Sequence, residues 1–260
     1  MTNAHIRLVT RGDDAGSCHS ANAAILEACQ EGILRNVSIM VPGPAFEEVA
    51  SMLAGLPHIC FGLHVTLNAE WDGPKWGPVL PPEQVPSLVD EQGHFFTTPN
   101  VLQEHNARGE EMIAEVQAQL QLARKSGLNI SYLDEHMGVS WVSDLRPRLA
   151  NLAAREGLVD AHALRHLPRI KETFDNEIDR LVASLEVAPP GDYVFVTHPG
   201  YAAPDMQLLG HAGLAPGQVA RERDADRRLW LDARLRDYCK QHDVEIARYT
   251  DVLTVQPPAN

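Results

Sequence analysis

Short apolar runs alternate along this chain with stretches whose apolar positions recur every three or four residues. Ile6–Thr10, Val37–Val41, Ile59–Leu67, Ile130–Leu133, Tyr193–Thr197 and Val244–Arg248 are short runs rich in Val, Ile and Leu, and they read as strands. Val159–Leu164 reads as a further one. Ser20–Gln30 puts Ala21, Ala24, Ile25 and Ala28 on one helical face and stops at Gly32. Pro44 opens a helix carrying Phe46, Val49, Ala50 and Leu53, and Gly55 closes it. Glu110–Ser126, Leu145–Glu156, Glu172–Leu185 and Arg223–Gln241 carry the same helical period. Strands alternating with helices predict a parallel sheet built from βαβ units. Periodicity alone does not separate a closed barrel from an open, doubly wound sheet.

One stretch breaks the alternation. Asn68 to about Arg108 holds six of the chain's 18 prolines (Pro74, Pro78, Pro81, Pro82, Pro86 and Pro99), together with Trp71 and Trp76. A loop of this length in a compact domain is usually a lid or a binding loop. It is expected to cover a site, with its indoles either stacking on a ligand or simply packing. The 260 residues suit one domain spanning 1–260.

Charge narrows the partners. Lys plus Arg is 22 against 35 Asp plus Glu, a formal net charge of −13. Such a surface repels phosphate backbones and anionic lipid heads, so nucleic acid and membrane are not expected partners. The densest basic cluster, Arg221, Arg223, Arg227 and Arg228, is interrupted by acids and reads as a solvated helix face. Cys18, Cys29, Cys60 and Cys239 form no C-x-x-C pair, which excludes a cysteine-rich zinc ribbon. Met1–Thr10 lacks a signal-peptide core, and no run of 18 apolar residues occurs, so a cytoplasmic protein with reduced thiols is expected.

The chemistry collects at strand ends. The first strand runs into Asp13-Asp14, the third into His64, the fourth into Asp134-Glu135-His136, and a later one into His198-Pro199-Gly200. Any one of these is readily a turn or a helix cap. Parallel strands, however, aim their C-terminal ends at one rim, so the four clusters should converge in space. One carboxylate and two imidazoles make a catalytic set for a divalent cation with open positions for water and substrate. The other carboxylate of an Asp-Asp pair can take a proton from water, and a further His can protonate a leaving group. No phosphate-binding glycine loop follows the first strand, and no G-x-S-x-G elbow is present. Arg11 and Arg165 are candidate rim cations.

With these residues in view, the chain resembles the YdjC/ChbG carbohydrate deacetylases. Asp13-Asp14-Ala15-Gly16-Ser17 with Asn22 and Ile25 matches an opening D-D-x-G-x-S…N…I signature. Ser38 to Ala45, Gly62-Leu63-His64-Val65-Thr66-Leu67, Asp134-x-His136 and His198-Pro199-Gly200 match the later elements in order, over about residues 6 to 250. The resemblance implies a TIM-barrel-like (β/α) fold of seven or eight units. It implies one divalent metal on Asp14, His64 and His136; a donor set of one Asp and two His suits zinc, and magnesium, manganese or cobalt can occupy it too. It implies removal of an acetyl group from an N-acetylated sugar, with Asp13 as base and His198 as acid or oxyanion partner. A homodimer is implied too. The His-rich run that often follows D-x-H is replaced here by Met137-Gly138-Val139-Ser140-Trp141, which makes that wall more apolar. Asp134, Trp141, Arg165 and Arg221 are the expected substrate contacts, and His211 is a further candidate. The competing readings are an amidase, esterase or phosphoesterase on a non-sugar substrate, and a sugar-binding protein without activity.

Overall fold

The computed structural model describes residues 5–257; residues 1–4 and 258–260 lie outside them. Eight strands are present among the described residues: β1 Ile6–Ala15, β2 Asn36–Ile39, β3 Cys60–Val65, β4 Ile130–Glu135, β5 Val159–Asp160, β6 Arg165–His166, β7 Gly191–Thr197 and β8 Val244–Ala247. Nine α-helices accompany them among the described residues: α1 His19–Gln30, α2 Phe46–Leu53, α3 Pro99–Glu104, α4 Gly109–Lys125, α5 Leu145–Glu156, α6 Glu177–Val187, α7 Gln218–Leu231, α8 Ala233–Gln241 and α9 Tyr249–Val252. No described helix is long and apolar enough to cross a membrane.

Every strand pair in the sheet is parallel. The order is β5-β4-β3-β2-β1-β7-β6, and β8 pairs the first half of β1. The sheet curls, but its ladder does not close among the described residues, because β5 and β6 do not pair with each other. The expected α/β fold with a parallel, barrel-like sheet is present, and the barrel is open. The reason lies in the segment expected to be one strand, Val159–Leu164. It supplies two residues to β5, turns at Ala161–Ala163 with the Asp160 carboxylate accepting from the His162 N–H, and re-enters as β6 on the opposite edge. Two-residue strands cannot build a ladder across that gap.

Other boundaries moved for local reasons. The expected helix Glu172–Leu185 starts later, at α6, where the Asn176 side chain caps by accepting from the Asp179 N–H. The expected helix Arg223–Gln241 is two helices. Asp232 sits between them in an extended conformation, and its carboxylate accepts from the Arg234 N–H.

The segment from Asn68 to Arg108, expected as a lid or binding loop, is held to the body of the domain. It packs Ala69, Trp76, Val85, Leu88, Phe95, Leu102 and Ala107 into the main core, and the Trp76 Nε1–H donates to the Asn68 carbonyl at 2.9 Å. Buried Glu115 on α4 anchors it further by accepting from the Val79 and Leu80 N–H groups. Proline supplies the turns and apolar side chains supply the burial, so this irregular backbone folds as part of the domain. Phe95→Ala should therefore cost about 3–5 kcal/mol in denaturant unfolding, the range for emptying a large core site. A change below about 1 kcal/mol would show that Phe95 does not anchor the segment to the core.

Candidate metal centre

The end of β1 is bent by one extra residue. Gly12 pairs with Val37 and Ala15 with Ile39, so β1 spends three steps where β2 spends two. Asp14 occupies the extra step with φ of 65°, a conformation uncommon outside glycine. A regular strand would send two adjacent side chains to opposite faces; with the bulge, both carboxylates reach one cavity, Asp13 held by Arg11 and Asp14 facing the histidines. Gly16 follows with φ of 104°, where a Cβ would lie 2.5 Å from the Met40 carbonyl oxygen. The spacing of the D-D-x-G run is thus a steric requirement of this corner.

Asp14 is buried, and its two oxygens face different partners. Oδ2 accepts from Arg223 Nη2 at 2.6 Å. Oδ1 accepts no hydrogen bond among the described residues and stands 3.4 Å from His64 Nε2 and 3.3 Å from His136 Nδ1. His64 comes from β3, and His136 directly follows β4. The distal nitrogen of each ring faces a carboxylate: His64 Nδ1 lies 3.1 Å from Asp134 Oδ1, and His136 Nε2 lies 2.9 Å from Glu70 Oε2. This is the outer ring typical of metal-ligating imidazoles, in which a carboxylate fixes the tautomer and leaves the inner nitrogen free to ligate.

A second trio, Asp13, His64 and Asp134, is equally compact. It does not suit a cation, because Arg11 already occupies it. Arg11 reaches Asp13 through Nε at 2.7 Å and Nη2 at 2.8 Å, and Asp134 through Nη1 at 3.0 Å. Among the described residues, the trio Asp14, His64 and His136 has no such cation at its centre, and the unpaired Asp14 Oδ1 lies beside both rings. The donor set of one carboxylate and two imidazoles fits a divalent metal.

Burial would depress the His64 imidazole, yet the Asp134 and Asp13 charges overturn that and hold it well above its usual range. Burial likewise opposes protonation of His136, and the Glu70 carboxylate with Asp14 pushes it up to about 9. Burial would raise Asp14, but Arg223 foremost keeps it well below the ordinary carboxylate range. Without metal, the two rings are therefore held as cations by their acidic neighbours. For His136 the folded value exceeds the ordinary 6.5, so its stabilisation is complete below 6.5 and is lost as pH rises through about 9. Metal must displace these protons, so the affinity of the stripped protein for zinc should climb steeply between pH 6.5 and 9. A chelator-competition titration checks this; a flat profile would contradict the arrangement.

Around the trio opens a cavity of about 650 Å³ whose walls include Asp13, Glu70, Trp71, His198, Glu222 and Asp226. His198 follows β7, and its backbone N–H donates to Asp226 Oδ2 at 2.8 Å. Burial pushes the Asp226 carboxyl up. Asp13, Asp14, His64, His136 and His198 thus share one cavity at the C-terminal rim, as parallel strand ends require.

Of the four expected substrate contacts, none lies on this cavity wall as a free group. Asp134 is buried behind His64, where Ser38 Oγ donates to it at 2.8 Å. On the same strand, the Tyr132 ring lies over Gly62, where a Cβ would stand 2.1 Å from that ring. Arg165 points toward the start of β7, with its guanidinium 4.5 Å from the Tyr193 ring centroid and Nη2 near the Pro190 carbonyl. Arg221 is exposed and donates to the Pro216 carbonyl at 3.1 Å. Trp141 is 54% exposed. Met137, by contrast, does line the cavity, as does His211, whose ring stacks on Trp71 at 6.3 Å.

Two residues of the centre were not foreseen. Glu70 belongs to the proline-rich segment, and no periodicity marks it. Arg223 was expected on a solvated face but is only 6% exposed. A signal did exist: Val219, Glu222, Arg223 and Asp226 fall at i, i+3, i+4 and i+7 of α7, and all four line the cavity. A stripe that mixes charges with one valine does not read as a buried face by hydrophobicity alone. Cys18, beside the corner, is buried, and that burial raises its thiol, so it is no ready nucleophile.

Comparison with known proteins agrees with this geometry. Carbohydrate deacetylases are similar to the chain: that of Thermus thermophilus at 33% identity over 78% of this chain and 80% of its own length, and that of Thermoanaerobacter pseudethanolicus at 24% over 94% and 98%. The Vibrio cholerae carbohydrate deacetylase is 24% identical over 96% and 97%. A crystal structure from Enterococcus faecalis, of a protein provisionally named for cellobiose-phosphate cleavage, shares the fold with a TM-score of 0.80 at 19% identity, covering 96% of this chain and all of that one. The model of the YdjC-like protein family matches residues 7–241, and with the bulged Asp13-Asp14 corner and the two strand-end histidines in place, the chain belongs to that family.

Proposed function

We propose that this protein is a metal-dependent hydrolase that removes the acetyl group from an N-acetylated sugar. The observation that carries the reading is the trio Asp14, His64 and His136, each histidine backed by its own carboxylate, in a cavity that also holds Asp13 and His198. The names of the similar proteins point the same way. A divalent cation held by Asp14, His64 and His136, zinc by preference, would polarise an acetamide carbonyl and make water a stronger acid.

The chain's own groups supply the rest. Hydrolysis adds water to the carbonyl carbon, breaks the C–N bond, and leaves acetate and an amine. Asp13 accepts the proton lost by water, and Arg11 holds its carboxylate in place from behind. His198, on the same cavity, returns a proton to the departing nitrogen. Trp71 and Met137 give the cavity apolar surface of the kind a sugar ring covers.

The wall also selects by charge. Glu70, Asp72, Glu135, Glu222 and Asp226 stand on it, with Arg223 as its cation outside the histidines. A phosphorylated substrate would meet repulsion there, which weighs against the phosphoesterase reading. N-acetylglucosamine oligomers should release acetate, whereas their phosphorylated counterparts should be poorer substrates by roughly tenfold or more in kcat/KM, a difference of about 1.4 kcal/mol. Equal or better use of the phosphorylated sugars, or release of phosphate, would overturn this assignment.

A further inference from the structure

Arg223 does more in this arrangement than one ion pair demands. Its guanidinium is buried, where a cation is costly unless fully engaged. Nη2 is spent on Asp14 Oδ2 at 2.6 Å. Nη1 is buried as well and finds no partner among the described residues, although the side chain lines the cavity. A buried N–H left unmade costs about 1–3 kcal/mol, so its retention calls for something to receive it. The guanidinium carbon lies 5.9 Å from the centroid of the Trp71 ring. Holding Asp14 needs one donor; Arg223 offers a second, fixed beside it by the planar geometry of the group.

We propose that Arg223 Nη1 donates to the carbonyl oxygen of the bound acetyl group as that oxygen gains negative charge, while Nη2 keeps Asp14 turned toward the two histidines. The donor role rests on the deacetylase reading above. As water adds to the carbonyl carbon, the C=O electron pair moves onto oxygen, and a preoriented cationic donor then binds it more strongly than it bound the neutral carbonyl. One guanidinium thereby couples the aim of the metal-side carboxylate to stabilisation of the transition state.

The test compares Arg223→Met and Arg223→Lys with the wild-type chain, reading zinc affinity by chelator competition and kcat and KM for acetate release from N-acetylglucosamine oligomers. Arg223→Met should bind zinc about 10–100-fold more weakly. At saturating zinc its kcat should fall about 10²–10³-fold, with KM little changed. Arg223→Lys keeps the charge beside Asp14 without the forked second donor, so zinc affinity should return close to wild type while kcat stays low. That variant carries the test if Arg223→Met fails to fold. Full kcat in Arg223→Lys, or a raised KM at unchanged kcat, would overturn the donor role. Unchanged zinc affinity in both variants would overturn the positioning role. A wild-type chain that releases no acetate would overturn the deacetylase reading and the donor role with it, whereas the zinc affinities would still decide the positioning role.

Discussion

Asp14→Asn should abolish zinc binding and acetate release together, and should also weaken the fold. The asparagine keeps the shape of the side chain but loses the charge that serves two neighbours at once. On one side, Oδ1 is the anionic donor facing His64 and His136. On the other, Oδ2 is the hydrogen-bonded ion-pair partner of buried Arg223. Removing one member of a buried ion pair leaves the other uncompensated, at about 3–5 kcal/mol. Calorimetric zinc titration, denaturant unfolding and acetate release on the same preparation check all three effects. A variant that binds zinc normally would remove Asp14 from the metal centre.

Asp13→Asn should separate the two adjacent carboxylates. It should hold zinc nearly as wild type does, since Asp13 faces Arg11 rather than the inner nitrogens of the histidines. Turnover should drop by about 10²–10⁴-fold, the usual loss when a positioned general base goes. Single-turnover acetate release at saturating zinc measures it. Wild-type turnover would take the base role away from Asp13. Equal loss of zinc would show that the bulge does not divide the pair as its geometry implies.

This division of labour was readable in the sequence only in part. Parallel strands and their helices follow from short Val, Ile and Leu runs set between helical periods. Asp13-Asp14, His64, Asp134-x-His136 and His198 stand out because each ends a strand, and the topology of a parallel sheet carries strand ends to one rim. Closure of the sheet was not readable. It turns on whether Val159–His166 forms one strand or two short ones, a matter of a single turn that apolar content does not reveal. Glu70 was hidden because it sits in irregular backbone, where no period distinguishes a wall residue from a surface one. Arg223 was hidden for the opposite reason, since its neighbours Arg221, Arg227 and Arg228 make the helix look uniformly wet. Trp141, Arg165 and Arg221 were chosen by residue type near the motifs, and type does not say which way a side chain leaves the backbone. Asp134 was expected to touch substrate, but it stands behind His64, 3.1 Å from that ring's Nδ1.

The central claim is that one divalent cation, held by Asp14, His64 and His136, drives deacetylation. The most direct measurement is acetate release from N-acetylglucosamine oligomers by metal-stripped protein as zinc is added back, with bound zinc counted in parallel. Activity should be negligible at the start, rise in proportion to occupancy, and level off at one ion per chain. Undiminished acetate release by the stripped protein, or one zinc bound per chain with no acetate released from any N-acetylated sugar, would contradict the account.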